Sequence, residues 1–209
     1  MRKGLIIAVA ILLPVVPLVA WLADSWQQFS EPLGAAFYIL YVPARAFGLI
    51  GFVLMFYQFV LASRVGILEA VFPRAKQLKT HRTLGKIGGV LMLTHGGFML
   101  LFDLVSLGAI TFTLEKLLGI VGLFLVLNAV IAAWFIRPLQ LTQPTWRRIH
   151  RVAYVVFPTI FLHAILIGNT VRGYAAVRWM FIAFLAVYVA LVVRRIVQGP
   201  PGGKRRAKA

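Results

Sequence analysis

The 209 residues are 61% hydrophobic and carry 22 lysines and arginines against 5 acids, a net charge of +17. So few acids, a positive mean hydropathy and several apolar runs of bilayer-spanning length exclude an ordinary soluble domain. The basic residues gather at alternate ends of those runs, the pattern of membrane topology and not of nucleic-acid binding, and the absence of cysteine excludes disulfides, thiolate haem ligation and cysteine-held iron–sulfur clusters within the chain.

The chain opens MRKGLIIAVAILLPVVPLVAWLADSW. The apolar run is too long for a secretory h-region, and Trp21 stands where cleavage after Ala23 would need a small residue, so the stretch is read as a retained first helix, about 4–22. Pro14 and Pro17 are expected to kink it, which a membrane helix tolerates when neighbours satisfy the freed carbonyls. A polar stretch with Asp24 and Glu31 leads to a second apolar helix, about 42–63, closed by Arg64. Arg45 then falls near the opposite membrane edge, as a snorkelling anchor or as the partner of a buried anion.

Residues 64–82 hold Arg64, Arg74, Lys76, Lys79 and Arg82 with Glu69 the only acid, the most basic of the connecting loops. A third helix is expected over about 83–104 and a fourth over about 117–136, with Asp103, Glu115 and Lys116 assigned to the loop between them. Arg137 closes the fourth, and the basic stretch LQLTQPTWRRIHR precedes a fifth, about 149–168. A loop with Arg172 and Arg178 leads to the sixth, about 177–193. Residues 1–196 are thus read as one six-helix domain, and 197–209 as a disordered basic tail at an anionic lipid surface. The basic segments alternate with the others, which places both termini on the cytoplasmic side of a cell membrane.

All four histidines lie in two stretches, HRTLGKIGGVLMLTH from His81 to His95 and HRVAYVVFPTIFLH from His150 to His163. Each pair spans roughly 20 Å of helix, about two-thirds of a bilayer core. The third and fifth helices run in the same direction, so depth pairs His81 with His150 and His95 with His163. Two neutral imidazoles facing each other from neighbouring helices are the axial ligands of a six-coordinate b-type haem, and two such pairs predict an all-α six-helix bundle with two stacked haems. A histidine at a helix end is commonly interfacial, but histidines as deep as His95 and His163 are costly unless functional. A metal site without haem would want carboxylate or cysteine support beside them.

The 14-residue spacing returns to within about 40° of one helix face, whereas the 13-residue spacing leaves His163 roughly 140° from His150. Pro158 is the expected site of a rewinding kink. Gly85, Gly88, Gly89, Gly96 and Gly97 suit either a porphyrin lying on the helix or close helix packing. Haem propionates need cations near the membrane faces, and arginine's planar fork suits a carboxylate. Arg82, Arg147, Arg148 and Arg151 are placed for the inner haem, Arg45 and Arg172 for the outer one.

HRTLGKIGGVLMLTH and WRRIHRVAYVVFPTIFLH resemble the third and fifth helices of the ferric reductase-like transmembrane domain, shared by ferric reductases, NADPH oxidases and MsrQ-type haem subunits. The resemblance covers the six-helix core. It implies a membrane cytochrome b passing electrons from a separate cytoplasmic donor, a flavin reductase or a quinol, to an extracytoplasmic acceptor, in an MsrQ-like setting a periplasmic oxidoreductase that repairs oxidised methionine. Reduction of a metal ion or of dioxygen is the alternative acceptor chemistry. The flavin and nicotinamide module of the larger relatives is not expected, because no glycine-rich dinucleotide loop follows the last helix. FMN or a quinone would suit the donor side, though no motif marks either. Outside redox chemistry, a small transporter or proton relay would use the histidines as titrating groups and would need acids within the membrane, where none is expected.

Overall fold

The computed structural model describes residues 2–135 and 138–198. The described residues are all-α, 85% of them helical, and among them six helices are long and apolar enough to cross a membrane. The order is α1 (Arg2–Gln28), a π-helical turn (Phe37–Tyr41) running into α2 (Val42–Ala62), short α3 (Gly66–Glu69), α4 (Arg74–Leu107), α5 (Leu114–Trp134), α6 (Gln143–His150), α7 (Ala153–Ile167), short α8 (Asn169–Gly173) and α9 (Ala175–Gln198). The spans are α1, the π-turn with α2, α4, α5, α6 with α7, and α9. Six crossings return the chain to the face where it began, here called the near face. Arg137 and the expected tail from residue 199 onward lie outside the described residues; Val197 and Gln198, assigned to that tail, instead continue α9.

Several helices are longer than hydropathy suggests. α1 continues to Gln28 and therefore contains Asp24, and α4 begins at Arg74 and ends at Leu107, so it contains Asp103. The sequence puts Asp24 in the polar stretch after the first helix and Asp103 at the boundary between the third helix and the loop that follows it. The 34 residues of α4 make it about 50 Å long, well beyond a hydrocarbon core of about 30 Å. The excess is its basic first turns, which project from the near face. Arg74 opens the helix by capping another one: its guanidinium donates to the carbonyls of Leu61 and Ala62, 2.9 Å each, at the end of α2. At the far face α4 stops at Gly108, whose φ of 71° is the left-handed conformation that glycine adopts without strain.

The prolines show how an apolar helix survives a missing N–H. Pro14 cannot bond the carbonyl of Ala10, and the Tyr57 hydroxyl of α2 donates to that oxygen at 2.7 Å. Pro158 likewise frees the carbonyl of Tyr154, and Tyr188 of α9 donates to it at 2.6 Å. In a medium without water each phenol takes the place of a backbone donor, and each bond also ties two spans together.

α2 lies at the centre of the bundle, packed on α1, α4, α7 and α9. Its Phe52 and Phe56 stack on Phe181 and Phe184 of α9 at centroid distances of 4.1 and 4.0 Å, and Phe157 of α7 lies 5.0 Å from Phe52. This aromatic core holds α2, α7 and α9 in place. Two further pairings build the site: α4 lies along α2, and α7 lies along α5.

Candidate functional site

The structure brings the four histidines together as two pairs. The rings of His81 and His150 are 6.3 Å apart between centroids, crossing at 82°. Those of His95 and His163 are also 6.3 Å apart, crossing at 65°. The pairs are set off along α4 by roughly 20 Å, the first toward the near face and the second toward the far face.

The geometry around α7 differs from a single proline-kinked helix. α6 ends at His150 and α7 begins at Ala153, with a turn at Arg151 and Val152. There the bonds tighten to the i→i+3 pattern, Val152 to Ile149 at 2.9 Å and Tyr154 to Arg151 at 3.0 Å. The break separates His150 from α7, so the roughly 140° phase difference of one continuous ideal helix does not apply between His150 and His163. Pro158 sits inside α7, with helix on both sides of it.

Three of the four imidazoles are oriented by a backbone carbonyl of the neighbouring helix. His95 Nδ1 donates to Ala44 O at 2.8 Å, His163 Nδ1 to Glu115 O at 2.7 Å, and His81 Nδ1 to Gln58 O at 3.3 Å. A carbonyl oxygen only accepts, so in each ring Nδ1 carries the proton and Nε2 keeps its lone pair. Nδ1–H on a carbonyl is the outer-shell bond that metal-ligating histidines characteristically make. His150 Nδ1 is buried without a partner. Its ring is held instead by the face of Trp146, one turn earlier, at 5.1 Å and 11°.

Glycines let the neighbouring helices approach the rings. A methyl at Gly48 would lie 2.8 Å from His95 Nδ1, and one at Gly119 would lie 2.6 Å from His163 Cε1. At the near-face pair, one at Gly85 would meet the Gln58 side chain at 3.0 Å. Gly88 and Gly89 pack on Leu54 and Val130, and Gly96 on Leu123, whereas Gly97 has open space.

Between His95 and His163 lies a cavity of about 430 Å³. Phe52, Met92, Met99, Leu123, Ile160 and Phe181 line it with apolar surface, and Arg45, Lys116 and Asp103 bring charge to it. Arg45 is no surface anchor. Its side chain is 7% exposed and paired with Asp24, and it donates to Thr170 Oγ1 at 2.8 Å and to Gln28 Oε1 at 3.3 Å. Lys116 is paired with Asp103 and donates to Thr111. Arg82, Arg147, Arg148, Arg151 and Arg172 are all exposed, Arg172 at the far face and the others at the near face.

A centroid separation of 6.3 Å is too wide for a hydrogen bond between the rings. It matches two imidazoles on opposite sides of one metal ion: a bond of about 2 Å plus about 1.1 Å from nitrogen to ring centre, taken twice. Among the described residues no group of three or more His, Cys, Asp or Glu could hold a metal ion. An ion between these rings would have two protein ligands among the described residues, and a non-protein group would supply the rest. A porphyrin would supply such ligands, and His95 and His163, on either side of the glycine-flanked apolar cavity, would be the residues that hold it.

Fold and site together define a multi-pass helical membrane protein with two opposed histidine pairs stacked across its bundle. Comparison of the chain with protein-family models, with curated proteins and with solved structures finds no match.

Proposed function

We propose that the protein is a two-haem membrane cytochrome b that carries electrons from a donor at the near face to an acceptor at the far face. The observation that supports it is the repetition of one geometry at two depths, two imidazoles 6.3 Å apart at each with no third protein ligand among the described residues. The lysine and arginine bias supports assigning the near face to the cytoplasm. The resemblance of both histidine stretches to the ferric reductase-like transmembrane domain supports the same reading.

In this reading each bound haem b supplies a one-electron centre. His81 and His150 hold the iron nearer the donor, and His95 and His163 the iron nearer the acceptor. Ala44, Glu115 and Gln58 fix the imidazole tautomers through their carbonyls. The mostly apolar lining of the far-face cavity would suit the body of a porphyrin, with Arg45, Lys116 and Asp103 at its charged side. The resemblance alone supports an extracytoplasmic oxidoreductase of the MsrQ-linked kind as the acceptor, with reduction of a metal ion or of dioxygen as the alternative.

The test is the visible spectrum of the purified protein, oxidised and dithionite-reduced, with haem extracted and counted per chain. The parent should show a low-spin b-type spectrum with two haems. His95→Ala and His163→Ala should each remove one haem, and His81→Ala and His150→Ala should each remove the other. A protein that stays colourless after haem supplementation, or histidine variants that keep the parent's haem content, would overturn the reading.

A further inference from the structure

The far-face pocket is built twice from the same parts. In α2, Arg45, Gly48 and Gly51 follow one another at intervals of three residues, and in α5 Lys116, Gly119 and Gly122 do the same. Gly48 and Gly119 seat the rings of His95 and His163; Gly51 and Gly122 seat Met92 and Ile160, the residues one turn before each histidine. The carbonyl that fixes each ring belongs to the residue immediately before the cation, Ala44 in one half and Glu115 in the other. The α2–α4 and α5–α7 hairpins are therefore related by a pseudo-two-fold axis. Because α4 and α7 cross the membrane in the same direction, that axis runs along the membrane normal.

Arg45 and Lys116 are equivalent under this axis. Both lie one helical turn toward the far face from the glycine that seats a histidine, and both line the same cavity. Each is held by an acid of the long helix preceding its own, Arg45 by Asp24 of α1 and Lys116 by Asp103 of α4. Lys116 has bonds to Asp103 and Thr111, which leave one of its three N–H donors free. Arg45 forms an ion pair with Asp24 and donates to Gln28 and Thr170, and its fork of five donors can take a further acceptor.

We propose that Arg45 and Lys116 form a two-cation clamp for the carboxylate edge of the far-face ligand, one carboxylate per hairpin, with Asp24 and Asp103 setting the net charge of the clamp. The inference rests on the haem reading above. The two propionates of a b-type haem leave one edge of the macrocycle and are related by its own near two-fold axis. Ligand and pocket then share an axis when the propionate edge points to the far face, where the two cations stand. Neither the count of basic residues nor the histidine spacing carries this; the matched positions of one arginine and one lysine do.

The clamp has an electrostatic signature of opposite sign at its two kinds of residue. A cation beside the haem favours the reduced state, which carries one more negative charge, and an acid favours the oxidised state. Redox titration of the full-length protein in nanodiscs, followed spectroscopically, reads both haems. Lys116→Gln should lower one of the two midpoint potentials, changing the reduced-to-oxidised ratio at fixed potential by about tenfold, or about 59 mV for one electron. Asp103→Asn should raise that same potential and leave the other haem unmoved. Haem dimethyl ester, which lacks the carboxylates, should bind the parent's far-face site at least roughly tenfold more weakly than haem, a measurement that needs no variant. Potentials unmoved in both variants, shifts of the same sign in both, or equal affinity for haem and its ester would overturn the clamp and leave the two-haem reading standing. A parent that binds no haem overturns both.

Discussion

The imidazole of His95 rests on the bare Cα of Gly48, where an added methyl would stand 2.8 Å from Nδ1. The same ring donates to the carbonyl of Ala44, one turn away on α2, so it is fixed from two sides by one helix. His163 has the same relation to Gly119 and Glu115 on α5.

From that contact follows the effect of a single methyl. Gly48→Ala or Gly119→Ala forces the ring or the helix to move, an overpacking cost of about 1–3 kcal/mol, and weakens haem binding at the far-face pair by roughly tenfold or more. Gly97→Ala adds its methyl into open space and serves as the control that leaves haem content unchanged. Haem per chain and the reduced spectrum, measured at matched expression, check it. Full far-face occupancy with parent affinity in Gly48→Ala would show that the glycine serves helix packing only.

Trp146 does for His150 what a carbonyl does for the other three rings. With Nδ1 unpartnered, the His150 ring is oriented by the stacked indole. Trp146→Leu should weaken haem binding at the near-face pair by roughly 10–100-fold, the range seen when an outer-shell support is lost. Trp146→Phe keeps an aromatic face and should hold most of the affinity. Titration of the depleted protein with haem separates the two variants.

The six spans and the pairing of the histidines were legible in the sequence because both depend on quantities a sequence carries: length of apolar run and depth along it. What was not legible depends on contacts between helices. Gly48 and Gly119 look like ordinary small residues until the helices that carry His95 and His163 are laid against them. The repeated spacing of a cation and two glycines was the one available signal. Hydropathy ends a helix near where charge begins, whereas an acid paired with a cation can remain helical, as Asp103 does buried beside Lys116 and Asp24 does half-buried beside Arg45. The break at Arg151 and Val152 leaves no mark in helical periodicity, which points to Pro158 alone.

The lysine and arginine distribution fixes a further expectation. A reporter fused after the last residue should read as cytoplasmic, and one inserted between α4 and α5 as extracytoplasmic. Paired alkaline phosphatase and fluorescent-protein fusions at both places check it. The reverse pattern would invert the proposed donor and acceptor faces and leave the proposed haem sites untouched.

Tyr188 and Pro158 make the sharpest test of the fold, because they are coupled through an atom that belongs to neither. Pro158 leaves the Tyr154 carbonyl without its helical donor, and the Tyr188 hydroxyl donates to it at 2.6 Å. Tyr188→Phe strands that oxygen in an apolar core, a cost of about 1–3 kcal/mol. Pro158→Ala restores a backbone N–H at the position from which an α-helix would satisfy Tyr154, so the hydroxyl becomes dispensable. In the Pro158→Ala background, Tyr188→Phe should therefore cost about 1 kcal/mol less than in the parent, a coupling within the range expected of residues that share one network. Denaturation of the four proteins of the cycle in one detergent gives the number. If the two substitutions are additive within about 0.3 kcal/mol, the phenol is packing in the core and not replacing a lost backbone bond.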